Sequence, residues 1–347
     1  FNLPIIYINQ VGGQDELVFD GASMIISPTG ECLVTFPSFK THAESIEIEL
    51  SGRRLVNKKN RINQKLRSEL QDLYEALVLG TKDYIRKNGF SGAIIGSSGG
   101  IDSALTAVIA VDAIGADQVK TFMMPFDYTA QISIEDANKL AKNLGISHKV
   151  INIKDIFSSF EESLQEVFLG KEKDKTEENL QSRSRGVLLM AISNKLGSLV
   201  LTTGNKSETA VGYSTLYGDT AGGFSVLKDV PKTWVYQLAK YRNTIKKVIP
   251  QRIIDRQPSA ELAPNQKDSD SLPDYEILDE IIELYVEKDA SLEEIVSKGL
   301  DKKTAEEVIK LIDKSEYKRR QAPPGVRITD RGFGKDRRYP ITNRYSQ

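Results

Sequence analysis

The chain has very few residues of the types that build disulfide frameworks and histidine-rich metal sites. Among its 347 residues, Cys32 is the single cysteine, and His42 and His148 are the two histidines. One cysteine excludes an internal disulfide, and such low cysteine use is typical of a reducing compartment. We therefore expect a cytoplasmic protein without a metal site built from histidine.

The sequence also lacks a strong net charge and long apolar runs. Its formal net charge is −1, so no overall field favours nucleic acid or an anionic membrane surface. No apolar run approaches the ~20 residues of a membrane span. The hydrophobic fraction of 39% and the charged fraction of 27% are those of a globular protein with room for about two domains. We expect neither nucleic acid nor a membrane as a partner.

What the sequence does contain is a glycine-rich turn, Ser-Ser-Gly-Gly-Ile-Asp-Ser, at residues 97–103. It follows the apolar run at 93–96 and precedes residues 104–114, whose apolar side chains recur at helical spacing. A strand, such a turn and a helix direct backbone N–H groups and the positive helix end toward an anion. Asp102, in the first helical turn, is placed to hold magnesium on a phosphate. The alternative is a tight turn in which serine and aspartate only cap the helix.

Strands and helices alternate around this turn. Further strands are predicted at residues 119–124, 148–153 and 199–203, and helices at 133–144, 156–169 and 179–196. Such alternation implies right-handed crossovers and an α/β fold, a doubly wound parallel sheet with flanking helices. Ligands of such sheets lie beyond the carboxyl ends of the strands, where the turn is placed.

Composition divides the rest of the chain. Residues 170–178 are dense in charge and predict a loop. Lys318-Arg319-Arg320 is interpreted as a solvated charge run, with contacts to phosphates as the alternative. Short strands and turns are predicted before residue 50, and a strongly basic stretch follows them. The predicted divisions are an N-terminal segment at 1–52, a linker at 53–62, a main domain at 63–325 and a basic tail at 326–347.

The turn resembles a known phosphate-binding loop. Ser-Gly-Gly-Ile-Asp-Ser, at residues 98–103, is similar to the pyrophosphate loop of the ATP pyrophosphatase superfamily. It is not a Walker loop, because no Gly-Lys-Ser/Thr follows. The resemblance implies a Rossmann-like fold and an enzyme that cleaves ATP between the α and β phosphates. Such enzymes adenylate a substrate and release pyrophosphate.

Four later blocks narrow the resemblance. They are Gly-Asn-Lys-Ser-Glu at 204–208, Gly-Tyr-Ser-Thr-Leu-Tyr-Gly-Asp at 212–219, Lys-Asp-Val-Pro-Lys-Thr at 228–233, and the segment at 258–275 that begins Pro-Ser-Ala-Glu-Leu. In this order, and together with the loop, they resemble the signature of the NAD synthetases. GMP, asparagine and argininosuccinate synthetases share the loop but not the later blocks.

The resemblance implies roles for residues at the matched positions. Asp102 and Glu208 would be magnesium ligands, and the catalytic set would be Asp102, Lys232 and Ser259. Contacts to deamido-NAD would come from Arg183, Asp219 and Lys228, although Arg183 in a surface ion pair is an alternative. The ATP site would consist of Ser97, Ser98, Gly99, Gly100, Ile101, Asp102, Ser103, Thr203, Lys232 and Ser259.

The N-terminal segment carries a second resemblance. Residues 9–23 are similar to the late part of the nitrilase-type amidase domain, an αββα domain, of glutamine-dependent NAD synthetases. In that family a Glu-Lys-Cys set upstream of this stretch takes ammonia from glutamine. We therefore expect the chain to begin inside that domain and interpret Cys32 as a packed strand cysteine. We also expect the chain as given to use ammonia and not glutamine.

The implied function is ATP-dependent amidation of deamido-NAD to NAD through an adenylated intermediate. ATP is then a substrate and Mg²⁺ a cofactor. The partners are deamido-NAD, ammonia or glutamine, and a second copy of the chain in a homodimer, or a larger homo-oligomer of the full-length enzyme. Two alternatives stay open: an ATP pyrophosphatase acting on another acceptor, GMP-synthetase-like or tRNA-modifying, and a non-catalytic adenine-nucleotide-binding module. Thiolation of tRNA needs cysteines near the loop, whereas Cys32 lies far upstream of it. A non-catalytic module would not require acidic residues at the ends of two separate strands.

Overall fold

The computed structural model describes most of the chain, including the whole glycine-rich turn. The described residues are 3–45, 48–51, 54–57, 67–259, 261–263, 266 and 268–342. Within them, no helix combines the length and the apolar character needed to cross a membrane.

Short antiparallel strands make up the described N-terminal segment, as the turn signals predict. The sheet order is β1-β4-β5, and β2 pairs with β3 and β6 with β7 in separate two-stranded units. The strands are β1 Ile5–Tyr7, β2 Val11–Gln14, β3 Leu17–Asp20, β4 Met24–Ile26, β5 Cys32–Thr35, β6 Ile48–Ser51 and β7 Arg54–Asn57. Strand β7 lies in the predicted linker, so that part of the linker is a strand; its remainder falls on residues that are not described.

A five-stranded parallel sheet forms the centre of the main domain, which confirms the predicted fold class. Its order is β10-β9-β8-β11-β12, so the chain reverses its winding direction at β8. Strands β8 and β11 lie in the centre of the sheet, where helices cover both faces. Their sequences are therefore continuous apolar runs. The strands are β8 Ala93–Gly96, β9 Val119–Met123, β10 Ser147–Val150, β11 Leu199–Thr202 and β12 Phe224–Ser225.

Helices cover both faces of this sheet. Side chains alternate along β8, so Ile95 joins the core on one face and Ile94 the core on the other. A third core lies among the C-terminal helices. The helices are α1 Glu69–Lys87, α2 Ile101–Ile114, α3 Gln131–Leu144, α4 Lys154–Leu164, α5 Lys175–Leu196, α6 Lys206–Val211, α7 Lys232–Ile245, α8 Gln251–Asp255, α9 Tyr275–Ile282, α10 Leu292–Ser297, α11 Lys302–Lys314 and α12 Glu316–Arg319. A π-helical turn at Glu283–Glu287 continues α9.

Two segments differ from their predicted structure. The predicted loop at 170–178 ends early, because α5 begins at Lys175 with a capping box between Asp174 and Glu177. The predicted separate tail is packed into the main domain as far as it is described. Val326 is buried, and the backbone N–H of Thr329 donates to Asp229 Oδ2 at 2.9 Å. Asp229, which is distant in sequence, therefore anchors the C-terminal segment, whose sequence has neither helical nor strand periodicity.

Candidate active site

A cavity of about 680 Å³ opens at the carboxyl ends of β8 and β11. This is the edge where parallel α/β sheets bind ligands, at the point where the winding direction reverses. No histidine or cysteine lies among its described lining residues. It brings together twelve predicted site residues: Ser97, Ser98, Gly99, Gly100, Ile101, Asp102, Ser103, Thr203, Glu208, Asp219, Lys232 and Ser259.

The glycine-rich turn is a tight cradle between β8 and α2. Gly99 has a φ of +78°, and a Cβ there would lie 2.3 Å from the Ser133 carbonyl oxygen, so only glycine fits. Ser103 Oγ lies 3.1 Å from Ser98 Oγ and donates to the Gly100 carbonyl at 3.1 Å. No side chain caps the N-terminus of α2. Its first N–H groups are therefore available to an anion such as a phosphate.

Two carboxylates and one ammonium group meet at the floor of the cavity. Lys232 Nζ lies 2.5 Å from Asp102 Oδ2 and 3.2 Å from Glu208 Oε1. The lysine side chain is 2% exposed and each carboxylate 18%. Burial by itself lowers the pKa of Lys232, but the two carboxylates outweigh burial and raise that pKa above its usual value. The lysine is therefore a fixed positive charge beside the turn.

Asn205 links the two carboxylates and was not predicted as a site residue. Its Nδ2 donates to Asp102 Oδ1 at 2.9 Å, and its Oδ1 accepts from the Glu208 N–H at 3.0 Å. The second contact is half of a capping box that begins α6, with Glu208 as the other member. This Asn-x-x-Glu pattern is visible in the sequence, and it holds the Glu208 side chain near the first helical turn. Burial raises the pKa of Glu208, and Lys232 opposes that rise.

The two carboxylates suit a magnesium ion that also binds phosphate. Mg²⁺ in nucleotide sites commonly uses one or two carboxylates, with phosphate oxygens and water as its other ligands. Asp102 and Glu208 face one region from different elements, close to the turn. Among the described residues, no group of three or more histidine, cysteine, aspartate or glutamate side chains forms a metal site. The donor set therefore fits a metal shared with a phosphate ligand.

Lys206, the residue before Ser207 and Glu208, holds α6 to the C-terminal segment. Its side chain is completely buried, and its Nζ lies 3.0 Å from Asp229 Oδ1 and 2.7 Å from Glu287 Oε1. The same ammonium donates to Thr329 Oγ1 at 2.5 Å and to the Arg331 carbonyl at 3.1 Å. Four oxygen acceptors compensate this buried charge, as burial of an ammonium requires.

The three residues predicted to contact deamido-NAD have different environments. Asp219 lines the cavity, and its Oδ1 accepts from the Thr215 N–H at 2.6 Å. Arg183 lies outside the cavity lining, is exposed, and donates from Nε to the Leu216 carbonyl at 3.2 Å. Lys228 also lies outside the lining, and its Nζ donates to the Pro323 carbonyl at 2.7 Å. The structure therefore brings only one of the three to the cavity.

Four cationic side chains line the cavity that the sequence did not assign to it: Lys175, Arg185, Arg256 and Lys318. Arg185 donates from Nε to the Met124 carbonyl at 2.9 Å, which directs it toward the ends of the strands. Lys318 donates to the Gly212 and Ser214 carbonyls, each at 2.7 Å. The interpretation of residues 318–320 as a solvated charge run is therefore wrong for Lys318 and also for Arg319, which is 6% exposed.

Ser259 belongs to a segment that borders the cavity on the side facing α3. Its Oγ donates to the Gln266 carbonyl at 2.5 Å and accepts from the Glu261 N–H at 3.2 Å. Glu261 Oε1 accepts from Ser133 Oγ, in α3, at 2.7 Å. Ser133 is also the residue that approaches Gly99. The segment that holds Ser259 is thus fixed to the neighbourhood of the turn.

The fold and the cavity together define a parallel α/β protein with a glycine-rich turn at its switch point. The NAD synthase family model matches residues 73–322. A glutamine-dependent NAD(+) synthetase from Acinetobacter baylyi is 53% identical over 344 residues, which cover 99% of this chain and 63% of that protein. The chain therefore belongs to the NAD synthase family.

Solved structures agree in fold with this assignment. A glutamine-dependent NAD+ synthetase from Acinetobacter baumannii, in complex with ADP, has a TM-score of 0.70 at 48% identity. That match covers 99% of this chain and 62% of the other. An NMN synthetase from Francisella tularensis has a TM-score of 0.63 at 27% identity, covering 73% of this chain and 97% of the other. The chain thus spans less than two thirds of the length of its glutamine-dependent relatives.

Proposed function

We propose that the chain catalyses the ATP-dependent amidation of deamido-NAD to NAD, with release of AMP and pyrophosphate. The observation that carries the proposal is the meeting of Asp102, Glu208 and Lys232 beside the glycine-rich turn. In a member of the NAD synthase family, this arrangement supplies a phosphate cradle, two hard oxygen ligands and a fixed positive charge.

The first step is adenylation of the nicotinate carboxylate. A carboxylate oxygen attacks the α-phosphorus of ATP, the bond between this phosphorus and the bridging oxygen to the β-phosphorus breaks, and pyrophosphate leaves. The turn holds the pyrophosphate through the N–H groups of α2, and Lys232 balances negative charge as the bond breaks. Asp102 and Glu208 would hold a magnesium ion, which would neutralise charge on the phosphate oxygens.

The second step is displacement of AMP by ammonia. The nitrogen attacks the carbonyl carbon of the adenylate, the carbon–oxygen bond to AMP breaks, and a proton is lost as the amide forms. The reaction requires no side-chain nucleophile, which agrees with a described cavity lining that contains neither cysteine nor histidine. The protein acts by positioning the two substrates and by stabilising charge.

We assign ammonia supply to glutamine hydrolysis in the full-length enzyme. Cys32, the single cysteine of the chain, lies in strand β5 but is exposed, so its interpretation as a packed cysteine is wrong. Its Sγ is 3.5 Å from the Val34 carbonyl oxygen. In the described segment no base contacts this thiol through a hydrogen bond, as an activated cysteine nucleophile requires. Ammonia is then the nitrogen source that the 347-residue chain itself uses.

A homodimer through the synthetase domain is also part of the proposal. Val187 and Met190, three residues apart on α5, are 64% and 39% exposed. Residues at this spacing share one face of a helix, and an apolar face is suited to a second copy of the same helix. Sedimentation velocity of the chain at micromolar concentration tests this part.

Release of pyrophosphate tests the proposed reaction. The purified chain is incubated with ATP, Mg²⁺ and ammonium, and with deamido-NAD or, separately, nicotinate mononucleotide, the acid that corresponds to NMN. We expect pyrophosphate and AMP in equal amounts, with NAD as product and the greater kcat/KM for deamido-NAD. Release that depends on a different acceptor would favour another ATP pyrophosphatase. Tight ATP binding without any release would indicate a non-catalytic nucleotide-binding module.

A further inference from the structure

Helix α7, which begins with Lys232, has its first N–H groups satisfied from other elements. The residue before the helix, Pro231, supplies no side-chain cap. Instead the Thr233 N–H donates to Asp279 Oδ2 at 2.9 Å, and Thr233 Oγ1 donates to the same oxygen at 2.8 Å. The Lys232 N–H donates to Ser207 Oγ at 2.8 Å. Asp279 in α9, 46 residues after Thr233, therefore acts as the N-cap of α7.

Ser207 connects Asp279 and the start of α7 to helix α6. Its hydroxyl donates to Asp279 Oδ1 while it accepts from Lys232, so the serine connects the two helices. Ser207 is completely buried and directly precedes Glu208. One carboxylate thus binds the Thr233 backbone N–H beside Lys232 and the Ser207 hydroxyl beside Glu208. These are two of the three charged groups at the cavity floor.

A second residue of α9 contacts the other end of the lysine. Tyr275 lies one helical turn before Asp279, and its ring centroid is 5.2 Å from Lys232 Nζ. Its hydroxyl donates to Asp268 Oδ2 at 2.8 Å, which fixes the ring. Helix α9 therefore contacts Lys232 at its backbone through Asp279 and at its ammonium through Tyr275.

We propose that Asp279 is a positioning residue for the reaction, which sets the placement of Lys232 and Glu208 relative to Asp102. The inference rests on the proposed function, since it assigns Asp279 a part in that reaction. Asp279 does not line the cavity, so it acts only through Thr233 and Ser207. All three contacts to Asp279 are donated to it, and negative charge at a helix N-terminus is favourable. A displacement of about 1 Å at a catalytic group can cost a hundredfold in rate.

The primary test compares Asp279→Asn with the wild-type chain in ammonia-dependent turnover. The substitution keeps the volume of the side chain but removes its charge and one acceptor oxygen. We expect kcat to fall by about tenfold to a hundredfold, while the KM for ATP and for deamido-NAD changes by less than about threefold. A kcat within twofold of wild type would overturn the inference, whatever the change in melting temperature.

A matched control separates positioning from stability. Asp313 in α11 accepts a hydrogen bond at 3.0 Å from Tyr285, which belongs to the C-terminal core, and Asp313 does not line the cavity. Asp313→Asn is expected to lower the melting temperature about as much as Asp279→Asn while leaving kcat within twofold of wild type. An equal loss of kcat in both variants would show that α9 acts only through stability.

A double-mutant cycle with Ser207→Ala tests the route of the coupling. Because Asp279 acts through Ser207 as well as Thr233, the double variant should lose clearly less than the product of the two single losses. Losses that multiply would show two independent effects and would overturn the proposed route. Absence of turnover in the wild-type chain would instead refute the proposed function, so the two failures are distinguishable.

Discussion

Replacing Asp102 by asparagine should separate the catalytic role of the charged cluster from its structural role. The substitution preserves shape but removes one of the two carboxylates that face Lys232, and with it one of the two acceptor oxygens that bind Lys232 and Asn205. Coulomb attraction scales inversely with distance, so Glu208, at 3.2 Å, retains about four-fifths of the attraction that Asp102 provides at 2.5 Å. Lys232 therefore stays paired, and the stability cost is about 1–2 kcal/mol rather than the ~3–5 kcal/mol of an orphaned buried charge.

Catalysis should suffer far more than stability. Loss of a preorganised charge at a reacting phosphate costs about a hundredfold to a thousandfold in kcat, and Asp102 is also a proposed magnesium ligand. We expect a fall of only a few degrees in melting temperature, together with a loss of at least a hundredfold in pyrophosphate release at saturating deamido-NAD, ATP and ammonium.

The same helix offers a matched control for this experiment. Asp112, also in α2, is 2.6 Å from Arg242 Nε, and neither residue lines the cavity. Asp112→Asn should therefore lower the melting temperature to a similar degree or more, while turnover stays within twofold of wild type. Near-normal turnover of Asp102→Asn, or an equal loss in both variants, would refute the assignment of Asp102 to the site.

Three further predictions follow from other features. Gly99→Ala forces a Cβ to 2.3 Å from the Ser133 carbonyl oxygen at a φ of +78°, so ATP affinity measured by calorimetry should fall at least about tenfold; unchanged affinity would show that the turn does not bind phosphate. The 347-residue chain should form NAD with ammonium and not with glutamine, and Cys32→Ser should leave ammonium-dependent turnover unchanged; glutamine-supported turnover would contradict this. His148 Nδ1 lies 2.8 Å from Thr121 Oγ1, and burial lowers the pKa of this histidine in the folded chain. Because the unfolded chain then binds a proton more readily than the folded chain, the free energy of unfolding should fall between pH 7 and pH 5. Urea unfolding of His148→Gln should show a smaller fall over this range, and an equal fall would contradict the assignment.

Local patterns in the sequence predict the framework of the site. The apolar run before the turn and the helical spacing after it predict β8 and α2, and alternation of strands and helices predicts the parallel sheet. Asp102, Glu208 and Lys232 lie 24 or more residues apart from one another, so no spacing rule brings them together. The local pattern around the turn indicated Asp102, family resemblance alone pointed to Glu208 and Lys232, and the fold supplies the contact.

Local sequence patterns do not predict which side of α5 faces the cavity. Arg183 and Arg185 stand two residues apart, which places them on nearly opposite sides of a helix. Arg185 reaches the cavity and Arg183 does not. Helix α5 carries apolar side chains both in the core, such as Leu189, and at the surface, such as Val187, so its sequence does not fix the rotation. The start of α5 was misplaced because the capping pair Asp174 and Glu177 lies within a run of charges that indicates a loop.

Partners distant in sequence leave no local signal at all. Asp279 caps a helix that begins 46 residues earlier, and Thr329 anchors its segment to Asp229 across 100 residues. Each pair consists of ordinary polar residues at unremarkable positions, and only the packing of the C-terminal helices makes them neighbours.

The buried Lys206 ammonium also bears on how the chain folds during synthesis. Two of its four oxygen partners belong to Thr329 and Arg331, which are translated 123 and 125 residues after the lysine itself. Helix α6 therefore cannot acquire its full set of contacts until the ribosome has extended the chain past residue 331 and released that part from the exit tunnel. Contacts of such long sequence separation form slowly. The sheet and the glycine-rich turn can form earlier, and α6, which carries Glu208, gains its last contacts after them.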